Sequence, residues 1–470
     1  MHTLRFAAAA AAALWLAGCA SPRPPATVAA ATPPQWYAPL AHNGTQADLA
    51  RWWSQWDDPL LVELIAAAQA QSPTIASAGS RIAQARSARV AAGAALLPNL
   101  DGTASATRGN AQLGLPQPAT TAQVGLQTAW EIDLFGRNRG SADAAEARLA
   151  GTEAGWHDAR VAVAAETANS YVGLRTCAQQ LVVATNDANS RAETARLADL
   201  STRAGFTAPA SSALARASAA EAAARATQQR AQCDIDLKAL VALTALSEPV
   251  LKQKLAEPRA GRSSPAMLFV ASIPAQVLAQ RPDVYQTELE VAAASAEVGS
   301  ARADRFPRLT LSGSVAAGRV RTNGANTDGA TWSIGPLAVT LPLFDAGRRA
   351  AAVDAAQARY EEAAVLYQAR VRQAVREVEE ALVSLDSANS RNENARVATE
   401  GYRASFTATE ARYRSGLASL VELEDARRTS LAAETALVAL QRERAAAWIA
   451  LYRAAGGGWS RPDTTAAAQR

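Results

Sequence analysis

Residues 130–137, Trp-Glu-Ile-Asp-Leu-Phe-Gly-Arg, have a counterpart later in the chain at residues 341–348, Leu-Pro-Leu-Phe-Asp-Ala-Gly-Arg. The two phenylalanines lie 209 residues apart (344 − 135). The later stretch holds two more residues between its phenylalanine and arginine, and the spacing of 211 that follows persists to Gly205 and Gly416 (416 − 205). Chance matches would not keep one register over about a hundred residues, so the chain holds two copies of one unit, with a period too long for a short-repeat solenoid.

The N-terminus carries a targeting signal. Arg5 precedes a short apolar run that ends in Leu16-Ala17-Gly18-Cys19. Such a run predicts a signal peptide at residues 1–18, because a membrane span would need about 20 apolar residues. The ending resembles a bacterial lipobox, which implies cleavage before Cys19 and lipid attachment to it; the alternative is an ordinary secretory signal with an incidental cysteine. Residues 19–56 are then a lipidated tether, and the absence of aspartate after Cys19 favours the outer membrane.

Composition narrows the class of protein. The formal net charge is +4 over 470 residues, and acidic and basic residues are mixed along the predicted helices, which gives no case for nucleic-acid binding. Beyond the signal, no apolar run is long enough for a transmembrane helix. A mature chain of this kind would have to cross a membrane with strands.

Each copy contains a predicted β-hairpin, at about residues 99–134 and 308–343. In both hairpins, apolar residues alternate with polar ones at period two, as in Leu100-Asp101 and Leu309-Thr310. The runs have the length of a tilted strand that crosses a bilayer. A soluble, half-buried sheet would show the same alternation, so the pattern alone leaves both interpretations open.

Long helices follow each hairpin. No proline occurs between Ala119 and Ala208, or between Leu343 and Arg461, and helix-forming residues dominate both stretches. A helix from about Ala350 to Arg414 would be about 98 Å long, which indicates a rod and not a globule. Its apolar residues follow steps of three and four, typical of a packed helix face: Val353, Ala356, Tyr360, Ala363, Tyr367, Val371, Ala374, Val378, Leu382 and Leu385.

Both long helices are predicted to turn back at a glycine, Gly205 in the first copy and Gly416 in the second. Cys177 and Cys233 are equidistant from Gly205. Antiparallel helices joined there would bring the two thiols to the same height, in a compartment that permits disulfides. The alternative is two small buried side chains that face different ways.

The predicted organisation follows from these landmarks. It comprises a signal peptide (1–18), a lipidated tether (19–56), a first repeat (57–246, tip near 203–209), a connector (247–280), a second repeat (281–455, tip near 414–418) and a C-terminal tail (456–470). Four strands per chain cannot close a membrane barrel, and open edges in lipid would leave backbone groups unsatisfied. Three chains would supply twelve strands, enough for a closed barrel with a lumen.

With these features, the chain resembles TolC-like outer-membrane factors, in particular the lipid-anchored NodT-type (OprM-like) exit ducts of efflux pumps. The resemblance covers nearly the whole mature chain and rests on a set of ordered motifs. They are Asp57-Asp58-Pro59-Leu60, Leu97-Pro98-Asn99-Leu100, residues 130–136, Arg281-Pro282-Asp283-Val284, Phe306-Pro307-Arg308-Leu309 and residues 341–345.

The resemblance implies a mostly α-helical α+β membrane protein with an internally duplicated fold. Four strands per chain would form one third of a twelve-stranded trimeric β-barrel, continued by a long periplasmic α-helical barrel. It further implies a homotrimer in the outer membrane that works with a periplasmic adaptor and a proton-driven, RND-type inner-membrane transporter, and that carries drugs or small toxic solutes. No cofactor, metal or catalytic site is expected; the only histidines are His2, His42 and His157.

The resemblance also implies two kinds of site. The hairpin tips would dock on the adaptor through Arg203, Gly205, Arg414, Gly416 and Leu417, unless these residues only make the turns. Glu422 and Asp425, three residues apart on one helix face, match the acidic ring that narrows the periplasmic aperture. A solvated acidic face is the alternative for this pair. The first copy has Ser211 and Leu214 there, so the acidic gate would belong to one hairpin of each pair.

Two other functions remain open. The same fold could serve type I protein secretion or metal efflux, because cargo is largely selected by the transporter and adaptor. A periplasmic structural coiled-coil lipoprotein would share the helices and the anchor, but it would not need the repeated strand hairpins.

Overall fold

The computed structural model of the chain describes residues 22–38, 52–110, 118–257, 278, 280–322 and 324–462. Cys19, the predicted signal peptide and much of the predicted tether therefore lie outside the described residues. The helices and strands run in the order α1 (Pro59–Gln71), α2 (Pro73–Ala94), β1 (Asn99–Gly109), β2 (Ala119–Ile132), α3 (Arg137–Arg203), α4 (Pro209–Thr244), α5 (Glu248–Ala256), α6 (Pro282–Ala303), β3 (Arg308–Thr322), β4 (Ala325–Thr340), α7 (Arg348–Arg414) and α8 (Leu420–Ala454).

The two longest helices, α3 and α7, each contain 67 residues and begin at the arginine that closes a duplicated stretch. The predicted apolar stripe of α7 is confirmed, because Val371, Ala374, Val378, Leu382 and Leu385 are all buried. Small side chains at such positions let helices approach closely, while the charged neighbours stay in water. Among the helices that the structure describes, none is both long and apolar enough to cross a membrane.

The four strands form one antiparallel sheet in the order β1-β2-β3-β4. Leu126 faces Gly102 on one side and Val315 on the other, and Val315 in turn faces Trp332. The register shifts between Leu311 and Gly313 of β3, opposite the Gly-Pro step of β4. In the sequence, the alternation of apolar and polar residues changes phase at Gly335-Pro336, and the register shift lies at the same place.

Residues that face one another across the ladders share a face, so the register separates the sheet into two surfaces. One surface carries apolar side chains that are largely exposed: Leu100, Val124, Leu126, Val315, Trp332, Ile334, Leu337 and Val339. The other carries polar side chains such as Ser105, Gln123, Gln127, Ser314 and Ser333. The sheet is therefore apolar on one face and polar on the other, and the described residues of the chain's first compact unit cover neither face.

That first unit comprises the described residues up to Ala30, residues 79–154 and residues 286–369. Its helices pack through small residues: a Cβ added at Gly140 would lie 3.0 Å from the carbonyl oxygen of Ala296. The N-terminal segment is not free in solvent. The carbonyl of Pro22 accepts a hydrogen bond from Arg302 (2.8 Å), and that of Pro25 accepts one from Tyr360 (3.1 Å).

The second unit comprises residues 31–78, 155–285 and 370–470. Its core contains the fully buried rings of Trp52, Tyr171 and Trp448. Asp58 begins α1 as its N-cap and also accepts a hydrogen bond from the Tyr171 hydroxyl, at 2.8 Å. Substitution of such a shared carboxylate would remove both a helix cap and a buried hydrogen bond.

A buried ion cluster in the second unit surrounds the motif Arg281-Pro282-Asp283. The Arg281 guanidinium donates two hydrogen bonds to Asp283 (3.0 and 2.7 Å) and one to Glu377 (2.6 Å), and Arg370 also pairs with Asp283. Arg281 further donates to the carbonyl oxygen of Ala454, at 3.1 Å. The motif therefore ties the start of α6 to the helices α7 and α8.

The predicted connector, residues 247–280, contains a helix that the sequence analysis did not identify. This helix, α5, has Pro249 in its first turn, where a proline needs no amide donor, and it buries Leu251. The frequent prolines of the segment led us to expect only an interruption, although one of them starts a helix. Residues 258–277 lie outside the described part of the chain.

Candidate gate and docking site

Both long helices end in the same turn. Gly205 and Gly416 adopt left-handed φ angles of +78° and +74°. The amide of Phe206 donates to the carbonyl of Ser201 (2.9 Å), and that of Leu417 donates to Arg412 (2.8 Å). These 6→1 bonds satisfy carbonyl groups that would otherwise have no hydrogen-bond donor at the helix end. Glycine adopts the required positive φ angle without strain.

The turns present an apolar side chain to solvent. Phe206 is 84% exposed and Leu417 is 70% exposed, and the two are equivalent in the 211-residue register (417 − 206). Arg203 and Arg414 are paired with carboxylates one helical turn back, at 2.7 and 3.2 Å, but their guanidinium groups remain exposed. The sequence analysis selected Leu417 and overlooked Phe206, which the repeat register would have identified.

Glu422 lies in the first turn of α8, where it has a local structural partner. Its carboxylate accepts a hydrogen bond from the Ser419 amide (2.6 Å), and its own amide donates to the Ser419 hydroxyl (3.2 Å), which together form a capping box. The bond from the Ser419 backbone lowers the pKa of Glu422. Glu422 is exposed and therefore charged at neutral pH.

Asp425 is also exposed, one turn further along α8. Its carboxylate accepts a hydrogen bond from Arg428, at 2.5 Å, and both side chains are mostly in solvent. Exposed pairs of this kind are worth little to stability. Glu422 and Asp425 thus present two carboxylates on the same exposed helix face, as the sequence predicts.

Glu424, between them, faces the other way and enters a buried network. Its carboxylate pairs with Arg191 of α3 and accepts hydrogen bonds from Ser218 of α4 (3.0 Å) and Arg427 (2.5 Å). Arg191 also pairs with Asp187, at 2.9 Å. Burial lowers the pKa of Arg427, although Glu424 opposes this effect. The network joins the first turns of α8 to the hairpin of the first copy.

The sequence analysis assigned no role to Glu424. The 211-residue register offers a partial signal, because Ala213 stands at its place in the first copy (424 − 211). Its partners on α3 and α4 could not be read from the sequence, since Arg191 and Ser218 lie more than two hundred positions away.

Cys177 and Cys233 form a disulfide that joins α3 to α4. Their Cα atoms are 5.5 Å apart, and 56 positions separate the two residues. Gln229 donates a hydrogen bond to the sulfur of Cys177, at 3.1 Å. The bond closes the first helix hairpin well away from its tip at Gly205.

Two further sequence expectations concern ligands. Among the described residues, no group of three or more His, Cys, Asp or Glu side chains could hold a metal ion. Cys19, the predicted lipid attachment residue, lies outside the described part of the chain.

Comparison with known proteins gives a consistent picture. The family model described as outer membrane efflux protein matches residues 64–246 and 273–457. The pyoverdine export outer membrane protein OpmQ of Pseudomonas aeruginosa is 29% identical over 460 residues, 95% of this chain and 95% of OpmQ. Outer membrane protein OprJ of the same species is 31% identical over 352 residues, 73% of this chain and 71% of OprJ.

The solved structure of the outer-membrane channel OprN superposes with a TM-score of 0.81 at 26% identity, covering 94% of this chain and 99% of OprN. Each segment matched by the family model contains one strand hairpin and one long helix. The predicted fold class, mostly helical and internally duplicated, is confirmed.

Proposed function

Because this chain belongs to the outer membrane efflux protein family, we propose that it is the exit duct of a tripartite efflux system. Three copies form the duct, which conducts drugs or other small toxic solutes passively to the exterior. A periplasmic adaptor and a proton-driven, RND-type inner-membrane transporter supply the cargo and the energy.

The main support for this proposal is the four-stranded sheet, which is apolar on one face and polar on the other. In the described part of the chain β1 and β4 each pair on one side only, so two strand edges remain open. Side chains as large as Trp332 and Ile334 are 75% and 85% exposed on the apolar face. Lipid would solvate that face, while open backbone edges in lipid would be costly. Pairing β1 of one copy with β4 of the next satisfies the edges and turns the polar face towards a lumen.

The N-terminal segment supports a lipid anchor at Cys19. Arg302, which holds the Pro22 carbonyl, lies near the end of α6, six positions before β3 begins at Arg308. Pro22 therefore lies near the base of the sheet, three positions along the chain from the residue that we propose to be lipidated. A lipid on Cys19 would then enter the same membrane as the strands.

The exposed tips support docking on the adaptor. Phe206 and Leu417 offer apolar anchors that no described residue covers, and Arg203 and Arg414 place a positive charge beside each. A central apolar residue with a charged rim is typical of protein interfaces. We assign Gly205 and Gly416 the supporting role of shaping the two turns.

Oligomeric state and conductance test the duct directly. The full-length protein, purified in detergent, should behave as a trimer and should open ion-conducting pores in planar bilayers. Thr331→Pro, at a residue of β4 that pairs with Ala316 of β3, should abolish both properties, because proline cannot donate a hydrogen bond to a sheet. A monomer that inserts no pores would leave the periplasmic coiled-coil lipoprotein as the better explanation.

The proposed gate has its own prediction. Glu422→Gln combined with Asp425→Asn removes six negative charges per trimer, and glutamine preserves the capping box. We expect cation selectivity to fall and conductance to rise several-fold, because a ring of carboxylates no longer narrows and charges the aperture. The matched control is Glu393→Gln, an exposed carboxylate on α7 paired with Arg396. Equal conductance in the double variant and the control would show that Glu422 and Asp425 do not form the gate.

A further inference from the structure

The second unit contains a pocket of about 550 Å³ that the duct function does not use. Four flat rings line it, those of Trp53, His157, Tyr452 and Trp459. The imidazole of His157 lies 5.0 Å from the ring of Trp156 and 6.3 Å from that of Trp459. The volume is within the range of small-molecule sites, and aromatic walls are usual in such sites.

A turn of consecutive glycines lines one side of the pocket, and its backbone contacts Val161 and Tyr452. Gly456, Gly457 and Gly458 all have positive φ angles. A Cβ at Gly457 would lie 2.4 Å from a methyl carbon of Val161, so no larger residue fits without displacement. The Tyr452 hydroxyl donates to the carbonyl of Gly457, at 3.1 Å. The turn therefore requires glycine, both for its positive φ angles and for the close approach of Gly457 to Val161.

Arg160 gives the pocket its charge. Its guanidinium lies 4.9 Å from the ring of Trp156. The side-chain nitrogen of Gln69 donates to the Arg160 carbonyl (3.0 Å), and the side-chain oxygen of Gln69 accepts from the guanidinium (3.4 Å). The described residues that line the cavity include no aspartate or glutamate. An oriented guanidinium beside flat rings, without a competing carboxylate, suits an anionic ligand with an apolar face.

We propose that this pocket binds a carboxylate-bearing sugar. The carboxylate pairs with Arg160, and the C–H face of the pyranose lies on the indole of Trp459 or Trp53. Hydroxyl groups of the sugar meet the polar rim formed by Gln69 and Ser460. An aromatic acid would use the rings and the arginine but has no hydroxyl groups to hydrogen-bond with this polar rim, so the sugar acid makes contacts that the aromatic acid lacks.

The test uses two sugars that differ by one acidic group. N-acetylmuramic acid carries a lactyl carboxylate that N-acetylglucosamine lacks, and benzoate supplies a carboxylate on an aromatic ring. Binding to the full-length protein is measured by saturation-transfer NMR and calorimetry. We expect N-acetylmuramic acid to bind, and N-acetylglucosamine to bind about tenfold more weakly because the charge-assisted hydrogen bonds are missing.

Two variants link the binding to the pocket. Arg160→Gln should weaken binding of N-acetylmuramic acid about tenfold, to the level of the neutral sugar. Arg196→Gln, on the same helix and paired with exposed Glu193, should leave it unchanged. The proposal is overturned by no binding to the wild type, by equal binding of the two sugars, by equal losses in the two variants, or by benzoate binding more tightly than the sugar acid. None of these readouts depends on channel conductance.

Discussion

Removing the Cys177–Cys233 disulfide by a double alanine substitution is expected to lower the free energy of unfolding by about 4 kcal/mol. The estimate follows from the loop-closure entropy of a crosslink between residues 56 positions apart. Chemical denaturation followed by circular dichroism measures the change. Reduction of the wild type should reproduce the loss, whereas reductant should not affect the double variant.

The second copy provides an internal control. Ala388 and Arg444 occupy the positions equivalent to the two cysteines (388 − 177; 444 − 233), so the second hairpin has no such crosslink. Hydrogen exchange should therefore accelerate in peptides of α3 and α4 around the lost bond, and not in α7 and α8. Equal acceleration in both hairpins would show that the bond supports the whole unit and not the hairpin it closes.

Asp283→Asn is expected to destabilise the protein by about 3 kcal/mol, because it leaves the guanidinium groups of Arg281 and Arg370 without their shared buried partner. The estimate is at the lower end for a broken buried pair, since Glu377 still contacts Arg281 at 2.6 Å. Glu393→Asn, at an exposed site, should change stability by less than about 1 kcal/mol. Similar losses in the two variants would contradict the role of the cluster.

The same cluster predicts a pH dependence. Burial raises the pKa of Asp283, but the hydrogen bonds and charges of Arg281 and Arg370 outweigh it, so the pKa lies below its ordinary value. A carboxylate with a lowered pKa stabilises the folded state above its unfolded pKa of about 4, and this contribution is lost as the pH falls further. The difference in stability between wild type and Asp283→Asn should therefore shrink below about pH 4. A difference that stays constant into acid would exclude this charge as its cause.

The elements of the fold were largely predictable from local patterns. The long helices follow from helix-forming residues without proline, the turns from Gly205 and Gly416, and the strands from period-two alternation. These signals depend on neighbours within a few residues. The α5 helix was missed because its proline reads equally well as an interruption and as a first helical residue.

The candidate site also combines residues that could be identified from the sequence with residues that could not. Glu422 and Asp425 were selected from the family resemblance, and their three-residue spacing and their absence from the first copy are visible in the sequence. Glu424, one residue before Asp425, faces Arg191 and Ser218 through a helix rotation that no local pattern reports. The cluster around Asp283 and the pocket around Arg160 likewise join residues from distant segments.

Local sequence thus accounts for the duplication, the helices, the strands and the turns, because each depends on backbone preference and short-range periodicity. Packing accounts for which carboxylate is buried, which arginine is paired and where a cavity opens. Alanine-rich helix faces allow many relative rotations of similar cost, so the choice among them depends on contacts between residues far apart in the chain.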